Sequence, residues 1–168
     1  MKKAEITIST GSIYSRLSAE SGYTTTARSA SGIPETMTQR MLITDDERRV
    51  IDNWIRSSIN EAAFLIGRHL GRCSVNYLPA DGENAAKYIL SFPQPHNYPT
   101  EAIMQLGECI AELTTGNVQQ QWCMTVKPDE TSIPALRVQQ AQTRLKELLV
   151  MRSRPIPADG TGENIIGL

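Results

Sequence analysis

The stretch TDDERRVIDNWIRSSINEAAFLIGRHL, residues 44–70, predicts one long amphipathic helix. Thr44 and Glu47 have the spacing of a capping box, in which two side chains satisfy backbone N–H groups that the first turn leaves unpaired. Gly71 supplies a stop at the other end. Apolar residues recur three and four positions apart, as in a helix that buries one stripe. They are Val50, Ile51, Trp54, Ile55, Ile59, Ala62, Ala63, Leu65, Ile66 and Leu70. We expect the other elements to pack around this helix.

Two further stretches carry the same periodicity. Thr100 is a suitable cap for a helix that reaches about residue 125. Gly116 either ends this helix or lies inside it, where glycine costs about 1 kcal/mol of helix stability relative to alanine. The apolar stripe resumes on nearly the same face after Gly116, which favours one continuous helix. Pro134 suits the first turn of a third helix that ends near Met151. Its predicted stripe consists of Leu136, Val138, Ala141, Leu145, Leu148 and Leu149.

Between the first two predicted helices, apolar residues recur at every second position. RCSVNYL (72–78) and AAKYILSF (85–92) alternate apolar and polar residues on either side of the turn sequence PADGEN. This pattern predicts a β-hairpin of about residues 72–92. AEITIST (4–10) predicts a short N-terminal strand. An isolated hairpin is marginal in water, so this one must pack on the helices, pair with the N-terminal strand or join a neighbour's sheet.

The two ends of the chain have less regular patterns. A short helix is predicted from Ser12 to Gly22. Residues 23–43 lack a clear period, which is typical of either a mobile surface loop or an arm that orders on a partner. The predicted fold is therefore mainly α: a bundle of three long helices with a β-hairpin, a short N-terminal strand and extended terminal arms. The strand and arm occupy 1–43, the helical core 44–152 and a C-terminal tail 153–168.

Composition narrows the functional classes. The 168 residues suit one domain, and the net charge of −1 argues against a general nucleic-acid binder. Cys73, Cys109 and Cys123 are far apart and contain no C-x-x-C pair, so we expect three reduced packing thiols in a protein made in the cytosol. The chain shows neither the apolar core of a signal peptide nor a membrane-spanning run, and no membrane partner is expected.

None of the candidate motifs supports a catalytic, phosphate-binding or metal-binding role. The GTG sequence at 160–162 lacks the strand, helix and lysine of a phosphate-binding loop. His69 suits the negative end of a helix dipole, and no acid or thiol is spaced to form a dyad with it. His96 lies in a proline-rich loop and suggests surface contact. The acidic cluster at 45–47 could chelate a hard cation, but helix capping explains it. We predict no catalytic, cofactor-binding or metal-binding residue, and no enzyme.

The predicted interaction residues are a basic run and an apolar tip. Basic residues around Glu147 usually form a solvated face that offsets the helix dipole. The functional alternative is contact with an acidic partner surface or with passing DNA. The apolar end of the tail is unusual in a free monomer and suggests docking on a neighbouring molecule. These candidates are Arg144, Lys146, Arg152, Arg154, Ile165, Ile166 and Leu168.

The order of these parts resembles a family of virus structural proteins. The N-terminal segment EITIST…IYSRLSAESGYTTTAR is followed by the capped helix and the hairpin. Next come an NYPTEA helix with a tryptophan near its end, a KPDE break, and a last helix leading into MRSRPIP. Over residues 4–155 the chain looks like small virion proteins of tailed bacteriophages and prophages of gut Bacteroidetes. Within these it is similar to the head-to-tail connector (adaptor) proteins, which form a ring beneath the portal.

The resemblance implies a non-enzymatic ring subunit, commonly dodecameric, that is made in the host cytoplasm and resides in the virion neck. Its implied partners are other copies of itself, the portal protein and tail or neck proteins, with transient non-specific contact with packaged DNA. The hairpin is long for an adaptor, and residues 23–40 have no counterpart in that family. Two alternatives remain open. One is a tail-completion or tail-terminator protein, usually hexameric, and the other is a small helical DNA-binding regulator.

Overall fold

A computed structural model describes residues 2–29, 47–126 and 131–151, with the side chains of 20–29 left out. In this part of the chain, four helices accompany a small three-stranded antiparallel sheet. The prediction of a mainly α fold with a hairpin is confirmed. The elements in chain order are β1 (Lys3–Ser9), α1 (Thr10–Ser29), α2 (Arg48–Leu70), β2 (Ser74–Leu78), β3 (Lys87–Pro93), α3 (Thr100–Val126) and α4 (Ser132–Val150).

The hairpin is completed by the N-terminal strand. The strand order is β1-β3-β2, with both pairings antiparallel. Leu90 in the central strand lies opposite Ile6 of β1 and Val75 of β2. Because side chains alternate along a strand, one face of the sheet is apolar and packs on the helices. The buried residues of that face are Ala4, Ile6, Ile8, Tyr88, Leu90 and Phe92.

Helix α3, rather than α2, lies at the centre of the fold. It packs against α4, α2, β1 and α1, whereas α2 packs mainly against α3 and β3. Helix α3 runs unbroken through Gly116, as predicted. A Cβ atom built at Gly116 would lie 3.1 Å from Val138 Cγ2 on α4, and one at Gly107 would lie 3.3 Å from Ile6 Cγ2 on β1. These two glycines therefore set how closely α4 and β1 approach the central helix.

Two sequence predictions about helix limits have different outcomes. The short helix predicted to end at Gly22 is wrong, because α1 continues to Ser29. A single glycine inside a helix is tolerated at about 1 kcal/mol, so Gly22 is not a sufficient stop. Gly71, with φ at 104°, does end α2. The capping box rests on Thr44, which lies outside the described residues; α2 is described from Arg48.

Two residues assigned to buried stripes are exposed. Val50 is 49% exposed and Leu136 is 55% exposed. Each α-helical residue advances about 100° around the axis, so Leu136, two positions before the buried Val138, lies about 200° away on the solvent side. The buried stripe of α4 is correspondingly narrower than predicted.

A hydrogen bond joins α1 to the beginning of α2. The Tyr14 hydroxyl lies 2.8 Å from Asp52 Oδ1 and 3.0 Å from the Arg48 carbonyl oxygen, and its single proton can be donated to either acceptor. The Arg48 guanidinium lies over the Tyr14 ring at 5.0 Å from its centroid. Burial, followed by the Asp52 carboxylate, raises the pKa of Tyr14 well above its usual value. The hydroxyl therefore stays a donor throughout the ordinary pH range.

The close contact at Gly116 gives a testable prediction. Gly116→Leu places its Cβ against Val138 and its remaining carbons against α4, so the two helices must separate. We expect the free energy of unfolding in urea to fall by about 2 kcal/mol, within the usual range for overpacking. The loss outweighs the gain in helix propensity of about 1 kcal/mol.

The matched control is Gln121→Leu, at an exposed position of the same helix, which should change stability by less than about 0.5 kcal/mol. Adding Val138→Ala to Gly116→Leu should recover part of the loss. A Gly116→Leu protein as stable as the unchanged chain would contradict the close packing.

Candidate interaction surfaces

Within the described residues, the outer side of β1 has backbone groups that pair with no other strand. The Thr10 N–H donates to the Ala86 carbonyl at 2.9 Å, and the Gln94 N–H donates to the Lys2 carbonyl at 2.9 Å. In an antiparallel ladder, alternate residues direct their N–H and C=O groups to the same side. The backbone N–H and C=O groups of the even-numbered residues of β1 therefore point towards β3, and those of Glu5 and Thr7 point outward. Within the described part of the chain, no strand pairs with this side.

At the opposite edge of the sheet, no described strand pairs with the outer side of β2. The backbone N–H and C=O groups of Tyr88 and Leu90 point towards β1, so those of the odd-numbered residues of β3 point towards β2. In this register the backbone N–H and C=O groups of Val75 and Tyr77 point away from β3. The strand sequence SVNYL contains no charge and no proline, the devices by which edge strands usually prevent unwanted pairing. Tyr77 and Leu78 are 45% and 42% exposed. This edge is therefore both accessible and suited to further strand addition.

A groove follows the open side of β1. It lies between this strand, the start of α1 and the first half of α3, and has a volume of about 390 Å³. Gly107 lets α3 approach Ile6 closely, and the adjacent Met104 is 68% exposed. A strand added to β1 would lie over this groove and cover Met104. We call this surface the β1 groove; its other lining residues include Glu5, Thr7, Ser12, Arg16, Ile103 and Glu108.

Three arginines line a second groove, of about 510 Å³, between α1 and α4. Arg16 comes from α1, and Arg137 and Arg144 come from α4. The Arg144 Nη1 atom lies 3.7 Å from Glu112 Oε2, and Arg137 Nη1 donates to Gln119 Oε1 at 3.5 Å. The described residues that line the groove include these three arginines and the Glu112 carboxylate. We call it the arginine groove; its floor consists of Thr115, Gly116 and Ala141, which are buried.

The structure places only part of the predicted interaction set in this groove. Arg144 lines it, whereas Lys146 is exposed on α4 and does not. Sequence reasoning missed Arg137, although its spacing of seven residues from Arg144 puts both on one helix face. It also missed Arg16, which reaches the groove only through the packing of α1 on α3. The other predicted residues lie outside the described residues: Arg152, Arg154, Ile165, Ile166 and Leu168.

Cys109 has the surroundings of a packing residue. Cys109 is fully buried, and its thiol donates to the Ala141 carbonyl oxygen at 3.2 Å. Burial and then the Glu112 carboxylate raise the pKa of Cys109 to about 11, against a smaller opposing effect of Arg144. Burial alone raises the pKa of Cys73 to about 11. Both thiols are therefore protonated at neutral pH, and a protonated thiol is a poor nucleophile.

The described residues contain neither a metal-binding cluster nor a membrane-spanning helix. No group of three or more His, Cys, Asp or Glu side chains there is arranged to hold a metal ion. None of the described helices is long and apolar enough to cross a membrane.

Comparison with known proteins adds no relative. No protein-family model matches the chain, no curated protein matches its sequence, and no solved structure matches its fold. Inferences about function therefore depend on the two grooves, the open strands and the sequence pattern.

The surroundings of Cys109 predict slow thiol chemistry in the folded protein. At pH 8, 5,5′-dithiobis(2-nitrobenzoate) should leave Cys109 unmodified while the protein stays folded, and should modify it rapidly in guanidinium chloride. Mass spectrometry of peptides identifies the modified residue. Rapid modification of Cys109 in the folded protein would contradict its burial.

The raised pKa of Cys109 predicts that the folded protein loses stability at alkaline pH. Its pKa rises from 9.0 to about 11 on folding. The stabilisation from this group is therefore complete below pH 9 and is lost as the pH rises through about 11. Cys109→Ala removes this contribution. The variant should show a shallower decline in its free energy of unfolding between pH 9 and pH 11 than the unchanged chain does.

Proposed function

We propose that the chain is a structural subunit of a tailed-phage or prophage virion, a head-to-tail connector that forms a ring between the portal and the tail. The observation that carries this proposal is a three-stranded sheet that is open on both sides within the described residues. The sequence pattern that resembles connector proteins supports the same function.

The two open strands suit head-to-tail association. Strands β1 and β2 both run antiparallel to β3, so they run parallel to each other. If β2 of one copy pairs with β1 of the next, the sheet continues with every copy in the same orientation. Such a contact joins two different surfaces of the subunit and repeats from copy to copy. The assembly closes into a ring when a whole number of copies completes one full turn.

The side chains beside the open strands favour this contact. Exposed Tyr77 and Leu78 accompany β2, and exposed Met104 borders the β1 groove. Pairing would satisfy outward backbone groups and remove these apolar side chains from water, and both changes favour association. The absence of charged residues on β2 leaves no electrostatic barrier on that strand.

The charge of the chain is compatible with a DNA passage. A net charge of −1 gives a ring subunit little overall attraction for phosphates. In this proposal the partners are further copies of the chain, the portal protein and tail or neck proteins, with only transient non-specific contact with packaged DNA. The location would be the virion neck.

Sedimentation velocity and electron microscopy test the proposed ring. We expect the purified chain, alone or mixed with the portal protein of the same genome, to form closed rings. Twelvefold symmetry would support a connector, whereas sixfold symmetry would favour the related tail-completion or tail-terminator role. A protein that stays monomeric under both conditions and never joins the particle would overturn the proposal.

Strand pairing in the ring can be tested at Thr7. The N–H of Thr7 faces away from β3, so Thr7→Pro removes an outward donor and keeps the hydrogen bonds within the sheet. We expect Thr7→Pro to stay folded by circular dichroism and to sediment as a monomer. Thr7→Val keeps the N–H and should still form rings. If both variants formed rings equally well, the proposed ring would still hold, but pairing through β1 would be excluded.

The arginine groove favours a second candidate, a small helical DNA-binding regulator. Arg144 belongs to the basic run predicted at the end of the last helix, and Arg16 and Arg137 join it. Steeply salt-dependent binding of duplex DNA by the isolated protein would support this function, and its absence would dismiss it.

A further inference from the structure

We propose that β2 of one copy pairs in parallel with β1 of the next copy in one register, in which Tyr77 lies opposite Ile6 and its ring enters the β1 groove. The occupant of the groove is thus a second copy of this chain, and in that respect the contact rests on the proposed function. A ring can also form through other surfaces, so the contact and the ring can fail separately.

The backbones of the two edge strands are in phase for this contact. The odd-numbered residues of both β1 and β2 direct their N–H and C=O groups away from β3. In a parallel pair, a residue whose groups point towards the partner strand bonds to the two residues that flank its neighbour. With Tyr77 opposite Ile6, the Tyr77 N–H donates to the Glu5 carbonyl of the next copy, whose Thr7 N–H donates to the Tyr77 carbonyl. All five residues of β2 then lie beside residues 3–7 of β1.

The same register places the side chains of both strands on matching faces. Tyr77 lies opposite Tyr88 with ring centroids 5.0 Å apart, and the Arg56 guanidinium of α2 lies 5.6 Å from the Tyr77 ring centroid. Tyr77 is therefore on the helix-facing side of the sheet, where Ile6 is buried. A shift of one residue would turn Tyr77 to the other face and would lose the match of backbone groups.

Shifts of two residues keep both matches but fit the ends of the strands less well. In one direction, Leu78 would lie beside Ser9, and the residues after Leu78 would meet the first turn of α1 in the next copy. In the other direction, the beginning of β2 would extend past Lys3, where β1 begins. The register with Tyr77 opposite Ile6 therefore gives the longest pairing that avoids α1.

The β1 groove has the chemistry to receive a tyrosine ring. Gly107 lines it without a side chain, and Met104 on the same helix is 68% exposed. The sulfur of a methionine makes favourable contacts with aromatic rings. The exposed carboxylate of Glu108 also lines the groove and is an acceptor for a hydroxyl. An aromatic ring with a polar tip, such as that of Tyr77, matches this combination.

Engineered cysteines on the outer face of the sheet test the register in the full chain. Asn76 and Glu5 are exposed, and in the proposed contact their Cα atoms lie about 4.8 Å apart, which a disulfide can span. Within one chain β3 separates the two positions. Oxidation of Asn76→Cys/Glu5→Cys with diamide should therefore give a ladder of covalent oligomers in electrophoresis without reductant. Each single variant shows the background from the native cysteines.

The matched control for the register is Asn76→Cys/Lys3→Cys. Lys3 is exposed on the same face, but in the proposed contact its Cα atom lies about 8 Å from that of Asn76, beyond the reach of a disulfide. We expect this pair to cross-link at least about fivefold less than Asn76→Cys/Glu5→Cys.

The groove is tested separately by Met104→Glu, at an exposed position where folding does not depend on the side chain. In the proposed contact the added carboxylate is buried beside the Tyr77 ring, so the protein concentration at half-assembly should rise about tenfold in sedimentation velocity. The matched control is Met124→Glu, which is 49% exposed on the same helix, about 30 Å further along. It should change that concentration less than about twofold.

The outcomes separate this contact from the ring itself. Rings that form without the Asn76–Glu5 cross-link would overturn the contact and leave the connector ring in place, and a segment of the same chain lying on β1 would give that result. Equal cross-linking through Lys3, or equal effects of Met104→Glu and Met124→Glu, would also overturn it. Cross-linked open filaments would support the contact and overturn the ring. A chain that never assembles would overturn both.

Discussion

The close contact of α3 with its two neighbours at Gly107 and Gly116 is the constraint on which the other features depend. A side chain at either position would push away β1 or α4, because even a Cβ atom would lie within 3.3 Å of Ile6 or Val138. The same glycines shape the surface. Gly107 lines the β1 groove and Gly116 lies in the floor of the arginine groove. Residues that are unfavourable inside an isolated helix thus create both candidate interaction surfaces.

The sequence predicts the elements better than their arrangement. The apolar stripe of α2 and the period-two pattern of the hairpin each report a local burial pattern, and both elements form where predicted. A stripe shows that a helix has a buried side but not how many neighbours it meets. Helix α3 buries both Cys109 and Ala111, which lie about 200° apart around its axis, so its central position follows from small residues on opposite faces. Periodicity over Leu106 and Ile110 alone gives no sign of this.

The candidate surfaces show the same limit. The basic run was assembled from residues adjacent in sequence, but a groove is formed by residues that share a helix face. Lys146, two positions from Arg144, is therefore excluded, and Arg137, two turns away, is included. The pair Arg137 and Arg144 was accessible to sequence reasoning. Arg16 was not, because its position depends on how α1 packs against α3, which no local pattern encodes.

The two open strands limit the ways in which copies of this chain can associate. If two β1 strands paired with each other, a closed dimer would result, and each copy would still expose β2. If two β2 strands paired, each copy would still expose β1. Among assemblies built from a single kind of contact, only pairing of β2 of one copy with β1 of the next uses both open strands of every subunit, and only a closed ring of such contacts leaves neither of them exposed. Since an exposed, uncharged edge strand invites uncontrolled pairing, the SVNYL sequence of β2 supports the proposed assembly of subunits.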